Sequence, residues 1–304
     1  MKSYGSRRLG VVQRMAELAL LYKLRKGTQR DEVRELVVGL TDNKARIERL
    51  LGEKMTGKDV LEIGPGQFLK QARFYGIENR VTAIDLDQVE LTSVGAWFRL
   101  WSSNGTLRLI KTLGRKLAGI DRQFFREYYR ALPDAKGARV NFVRKDATDT
   151  GFADASFHVT LSLSVLEHIP EPARVVREMA RVTRPGGAFF HVVHIYTSDS
   201  GAHDPRSFAR VTGDFARWCH LRPSVAHLSA PNCYVNKLSL REWIRAFETE
   251  LPGCTIERIP ELADSQRCEE ISEIRKKGEL AELSDDELLT DCLVVTWIKR
   301  PIAA

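Results

Sequence analysis

The stretch DVLEIGPGQFL, running from Asp59 to Leu69, restricts the architecture more than any other part of the chain. Apolar residues lead straight into Gly64-Pro65-Gly66, and FLKQARFYG (68–76) follows at helical spacing. A second short, apolar, β-branched run, RVTAIDLD (80–87), completes a strand–helix–strand unit. Two strands joined by a crossover of about a dozen residues or more must lie parallel, and near-continuous apolar runs mark strands buried on both faces. Further strands are predicted at RVNFVRKD (139–146), FHVTLSLS (157–164) and GAFFHVVHIY (187–196). A helix is predicted at 171–183, stopped by Arg184-Pro185-Gly186-Gly187. Strands alternating with helices define an α/β, doubly wound sheet.

One spacing departs from this rhythm. Asp85 and Asp146 end consecutive predicted strands yet lie 61 positions apart, about twice a usual unit of roughly 30 residues. The excess, 91–138, reads as two or three helices forming an insertion that caps a site or makes a subunit contact. The chain therefore divides into an N-terminal helical segment, 1–58, and a domain, 59–304, that carries the insertion and a polar cap at 197–237. Helices at 239–250 and 265–280 follow the cap, and TIERIP (255–260) pairs antiparallel with CLVVTWIKR (292–300).

The net charge of +7 is concentrated in two places. Residues 1–30 carry eight Lys/Arg against Glu17 alone, and residues 99–130 carry eight against Asp121 and Glu127. Two solvated faces explain this, and so does an anionic partner: a phosphorylated substrate, a lipid surface or RNA. The segment 8–26 has an apolar stripe of Val11, Val12, Met15, Leu18 and Ala19 flanked by basic residues. It fits a helix packed on its own domain, or one making peripheral membrane contact. No run approaches the roughly 18 apolar residues of a membrane span, and the N-terminus lacks a secretory pattern. Five cysteines, at 219, 233, 254, 268 and 292, form no Cys-x-x-Cys pair. The expectation is reduced thiols in a cytoplasmic protein, without a zinc site.

The glycine loop also restricts its ligand. Dinucleotide binding uses Gly-x-Gly-x-x-Gly, but the third position here is Leu69, and Pro65 has no N–H to offer a phosphate. Gly64 and Gly66 still admit close backbone approach, and a helix start favours an anion. The carboxylate of an amino-acid cofactor suits that place better than a diphosphate. Asp85, 21 residues after Gly64, is placed to accept both hydroxyls of an adenosine ribose, and Asp146-Ala147 to meet the adenine amino group. Adenosine with an amino-acid tail is S-adenosylmethionine.

VLEIGPG, AIDLD and RKDATDTGFADASFHVTLSLSVLEHIPEPARVVREMARVTRPGG together resemble class I S-adenosylmethionine-dependent methyltransferases, in particular the subgroup that includes the ubiquinone/menaquinone biosynthesis enzymes. The resemblance spans about 59–196. It implies a Rossmann-like, doubly wound, seven-stranded, mostly parallel sheet with an antiparallel last strand. It also implies that Glu62, Gly64 and Gly66 surround the methionine part, Asp85 holds the ribose and Leu86 faces the adenine. Asp146 and Ala147 would flank the base, with Ser162 and Leu163 near the sulfonium. The insertion departs from the pattern, so the substrate is not carried over.

Methyl transfer to a hydroxyl needs an aligned acceptor and a proton acceptor. The candidates are His168 after the fourth strand, His194 near the end of the fifth, and His203 supported by Asp204 in the polar loop. His191 and His194, three positions apart on one strand, point to opposite faces unless a bulge intervenes, so one of them is expected to be packed. Glu167, His168, His194, His203 and Asp204 show no recognised metal-ligand spacing, and no metal is expected. The polar segment YTSDSGAHDPRSFARV is hydroxyl- and aromatic-rich. It suits a sugar-like acceptor, nucleotide- or lipid-linked, with the basic insertion meeting an attached phosphate. Two alternatives stay open: an RNA methyltransferase stacking bases on Trp97, Trp101, Tyr128 and Tyr129, and a binding protein that has lost the chemistry.

Overall fold

A computed structural model describes residues 29–87, 94–204, 216–229, 231, 233–260 and 265–300. The stripe at 8–26 lies outside them. The first described element is helix α1 (Gln29–Leu51). Then come β1 (Asp59–Ile63), α2 (Lys70–Tyr75) and β2 (Arg80–Asp85). The insertion contributes α3 (Val94–Leu117) and α4 (Ile120–Ala131) before β3 (Val140–Arg144) and β4 (Phe157–Leu163). Next are α5 (Pro172–Val182) and β5 (Thr183–His194). Past the cap lie α6 (Leu240–Glu250), β6 (Thr255–Pro260), α7 (Ser265–Lys276), α8 (Asp285–Leu289) and β7 (Thr290–Ile298).

The strands form one seven-stranded sheet in the order β3-β2-β1-β4-β5-β7-β6. The pairings among β1 to β5 are parallel, and β7 runs antiparallel to both β5 and β6. The expected closing pair is therefore present, and the sheet is the anticipated doubly wound one. Strand order reverses between β1 and β4, which opens a crevice at their carboxyl ends, where open α/β sheets bind ligands.

Both faces of the sheet are covered, as the apolar strands require. One face buries Leu61, Ile63, Phe189, Val193 and Leu293 against Val176 and Met179 of α5 and Trp243 and Phe247 of α6. The other buries Val60, Val81, Ala83, Val159 and Phe190 against Ile47 of α1 and Ala72 and Tyr75 of α2. Leu69 belongs to this second cluster although its φ is +50°. A leucine in left-handed backbone costs about 1 kcal/mol or more, and burying its side chain offsets that. The position where a dinucleotide fingerprint keeps a third glycine is here used for packing.

The helix predicted at 171–183 ends at Val182 as expected, but the strand predicted from 187 begins already at Thr183. Thr183 pairs with Phe157 and Ala188 with Val159, so the intervening residues form a bulge within β5. Helix α6 starts on a capping box: Glu242 donates its N–H to Ser239 Oγ (3.3 Å), and the Ser239 N–H donates to the Glu242 carboxylate (2.8 Å). Ser239→Ala removes one half of this, and we expect a loss of about 1 kcal/mol in urea denaturation.

The insertion is two helices, the first kinked at Gly105. Helix α4 packs on α1 through Val33, Phe124, Tyr128 and Ala135. The Tyr128 ring is fully buried and its hydroxyl donates to the Lys70 carbonyl, so it cannot serve as a base-stacking platform. Much of the positive charge is paired locally: Arg115 and Lys116 with Asp121, Arg126 and Arg130 with Glu127, Arg108 with Asp87. The insertion also packs against the glycine loop: Phe68 stacks on Phe124 at 4.6 Å between centroids, and Arg115 donates to Gln67. The polar cap holds an apolar centre of its own. Trp218 is fully buried against Ile271, Ile274, Leu280 and Leu288, and its N–H donates to Asp199.

Candidate functional site

The carboxyl ends of five strands converge on one edge of the sheet. Those of β1, β2 and β3 bring the residues expected to hold a cofactor. Gly64 and Gly66 have φ of +63° and +64°, in the left-handed region that side chains disfavour. A Cβ on Gly64 would lie 2.5 Å from Val165 Cγ2, whereas one on Gly66 would meet nothing within 4 Å. The loop is thus close-packed beneath and open above.

Glu62 projects beneath this loop with 2% exposure. One carboxylate oxygen accepts from Gln71 Nε2 at 3.0 Å, and the other has no hydrogen-bond partner. Burial pushes its pKa up to about 8, against the stabilising bond from Gln71. Burial likewise raises Asp85 to about 6, although one of its oxygens accepts the Asp87 N–H at 2.8 Å. Leu86 gives its carbonyl to Arg144 Nε at 2.8 Å. Asp146 is exposed, and one oxygen accepts both the N–H and the hydroxyl of Thr148 at 2.8 Å; Ala147 beside it is buried. Ser162 is fully buried with its hydroxyl 2.6 Å from His191 Nδ1, so its side chain is committed to the core rather than open to a ligand. Leu163 packs at the margin of the core.

Two buried carboxyls beside an open glycine loop fit S-adenosylmethionine. The orphaned oxygen of Glu62 is a buried acceptor without a donor, which the ammonium of an amino-acid moiety provides. Asp85 sits one strand over, where the ribose of the same molecule would reach. Gln71 was not anticipated; only its place in the first turn of α2 hints at it.

The ends of β4 and β5 carry the second half of the site. His168 Nδ1 lies 2.7 Å from the Tyr234 carbonyl. A carbonyl only accepts, so Nδ1 carries a proton, and burial lowers the pKa of the ring against the bond to Tyr234. His191 is the packed histidine of its strand, buried against Phe189. His194 Nδ1 lies 2.7 Å from His203 Nε2, and its Nε2 lies 2.9 Å from Asp291 Oδ1 and 2.8 Å from Ser200 Oγ. His203 also stands edge-on to His168, with centroids 4.7 Å apart. Burial, then the charges of His194 and His168, push the pKa of His203 down to about 3. The carboxylate that favours its charged form is Asp291 rather than the expected Asp204, which is itself buried. Glu167 is 1% exposed, and burial raises its pKa to about 7.

The three histidines singled out in the sequence thus meet, although they come from a turn after β4, from β5 and from the cap. Tyr234 and Asp291, which orient two of them, carry no local sequence signal.

Residues 102–191 match the model of a methyltransferase domain family. An uncharacterized methyltransferase of Mycobacterium sp. (strain JLS) is 43% identical over 63 residues, covering 21% of this chain and 25% of that protein. One from Mycolicibacterium gilvum is 37% identical over 78 residues, covering 26% and 31%. The chain thus spans about a quarter to a third of the length of these curated relatives. Among solved structures, a putative methyltransferase from Bacillus halodurans aligns over 84% of this chain and 98% of its own, with 16% identity and a TM-score of 0.41. Phosphoethanolamine N-methyltransferase 2 of Haemonchus contortus, in complex with S-adenosyl-L-methionine, aligns over 86% and 53%, with 16% identity and a TM-score of 0.46.

Proposed function

We propose that the chain is an S-adenosylmethionine-dependent methyltransferase that methylates a hydroxyl of a sugar or sugar-containing small molecule. The observation that carries the cofactor reading is the pairing of the orphaned, buried Glu62 carboxylate with Asp85 at the adjacent strand end, around the left-handed Gly64 and Gly66. The match of residues 102–191 to a methyltransferase domain supports it independently, because that segment begins after the glycine loop.

S-adenosylmethionine supplies an activated methyl group on a sulfonium. The chain's own residues then have three tasks. Glu62 and the loop amides hold the amino-acid end, and Asp85 accepts the ribose hydroxyls, which fixes the direction of the methyl group. The insertion, packed on Gln67 and Phe68, stiffens the loop and limits water on that side. His168 takes the acceptor proton: its Nδ1–H is committed to the Tyr234 carbonyl, so its Nε2 lone pair is the basic atom. The hydroxyl- and imidazole-rich wall of Ser200, His194 and His203 supports a polyhydroxylated acceptor.

Asp85→Ala removes charge-assisted bonds to the ribose. Such bonds contribute roughly 1.5–3 kcal/mol each, so with two of them lost calorimetry should show S-adenosylmethionine binding weakened by about 100-fold or more. Unchanged affinity would refute the cofactor placement. The acceptor is tested with methyl-labelled S-adenosylmethionine and fractionated cell extract. Label in a glycan or glycolipid fraction supports the sugar reading, and label released by ribonuclease replaces it with an RNA acceptor.

A further inference from the structure

Five metal-ligating side chains lie together on the acceptor side of the crevice. The ligand atoms of Glu167, His194 and His203 fall within 4.8 Å of one another, and those of His168, His203 and Cys233 do likewise. We propose that Glu167, His194 and His203 bind one divalent first-row transition-metal ion through a two-histidine, one-carboxylate set.

Three observations single out this triad. Glu167 is a carboxylate with 1% exposure, and neither oxygen makes a hydrogen bond of ordinary geometry. The amides of Glu167 and His194 lie near enough to favour its charged form without bonding it fully. A buried carboxylate without a partner disfavours the fold, and a cation among its neighbours removes that cost. His194 has the arrangement typical of a metal-bound histidine: one ring nitrogen faces the cluster while the other meets a carboxylate, Asp291, at 2.9 Å, with Ser200 Oγ at 2.8 Å. Finally, His194 Nδ1 and His203 Nε2 point at each other across 2.7 Å. Two imidazole lone-pair positions this close need either a shared proton or a shared cation.

The turn that brings His203 back over His194 is tightly built. A Cβ on Gly201 would lie 2.2 Å from the Tyr196 carbonyl oxygen, so only glycine fits there. Three protein ligands leave open positions on the ion, as in catalytic rather than structural sites. Resting on the methyltransferase reading, we assign those positions to an oxygen of the acceptor, with His168 beside it as proton acceptor. The binding of the ion does not depend on that reading.

The test uses the full chain, stripped with chelator and titrated with Co2+ as an absorbing probe. One equivalent should bind with d–d bands. Glu167→Gln and His203→Gln should each weaken binding at least tenfold, while His227→Gln, on an exposed residue, leaves it unchanged. Thermal denaturation of each variant shows that it is folded. S-adenosylmethionine affinity, measured separately, shows whether the cofactor reading stands or fails by itself. Absence of stoichiometric binding by the wild-type protein would overturn the proposal. So would binding retained in both folded Gln variants. A thiolate-to-Co2+ charge-transfer band abolished by Cys233→Ser would overturn this ligand set in favour of His168, His203 and Cys233.

Discussion

Gly64→Ala is expected to lower stability by about 2–4 kcal/mol and to abolish measurable S-adenosylmethionine binding. The added methyl group would stand 2.5 and 2.7 Å from the two γ-carbons of Val165, far inside van der Waals contact. Overpacking of this kind costs about 1–3 kcal/mol, and a side chain at φ +63° adds about 1 kcal/mol more. Val165 immediately precedes the turn that carries Glu167 and His168, so relief of the clash displaces the acceptor side as well. Thermal melting and calorimetry read both effects. The double variant Gly64→Ala/Val165→Ala restores the space and leaves mainly the backbone cost, so it should recover part of the stability lost by the single variant. A wild-type melting temperature for Gly64→Ala would contradict the packing of loop against β4.

Glu62→Gln is expected to act in opposite directions on fold and ligand. The carboxyl ionises with a pKa of about 8 in the folded chain against an ordinary 4.5. Between these values the folded state holds a proton that the unfolded state has released. Stability therefore falls as pH rises from about 4.5 to 8, by up to about 1.4 kcal/mol per unit from this group. Asp85, raised to about 6, adds a slope of the same sign at lower pH. These two groups thus favour the ligand-free fold at pH 5 over pH 8, whereas His191 and His203, lowered by burial to about 3, act in the opposite direction below about pH 6.5. The contribution of Glu62 is therefore read as the difference between wild type and Glu62→Gln at each pH. The glutamine variant keeps the shape without the charge, so it should flatten this dependence and exceed wild type in stability at pH 8. It should also bind S-adenosylmethionine at least tenfold more weakly, having lost the anion that meets the ammonium. A variant less stable than wild type at pH 8 would show that the carboxyl is not the buried, destabilising group described.

The framework of the proposed cofactor site was legible because its signals are local. The apolar run before Gly64-Pro65-Gly66 dictates a buried strand meeting a tight turn, and Asp85 ends the next such run. Both lie within 24 residues of Glu62. The antiparallel β6–β7 pair was legible for the same reason, since each strand has its own pattern. The stop of α5 ahead of Arg184-Pro185-Gly186-Gly187 was legible, but the early start of β5 was not: pairing with β4 on either side carries the strand through a bulge there. The basic aromatic insertion announced helices without announcing what they cover. Tyr128, named as a base-stacking residue in the RNA alternative, is buried on the Lys70 backbone.

The acceptor side was only half visible. His168, His194 and His203 stood out as residue types, but their sequence positions contained no ligand spacing. Their meeting depends on strand order, which places β4 beside β5, and on the turn at Gly201 that folds the cap back. Asp291 was invisible because it reaches His194 only through the antiparallel pairing of β7 with β5. Cys233 had no neighbouring cysteine to mark it. Hydrophobic period and turn chemistry act over a few residues, so the sequence by itself determined the strands, the doubly wound class and the glycine cradle. Apart from the His194–His203 pair, nine positions apart, these side chains lie 27 to 97 positions from their partners and meet only when the sheet closes, so the tertiary structure alone decided the histidine–carboxylate cluster and the partner of the insertion.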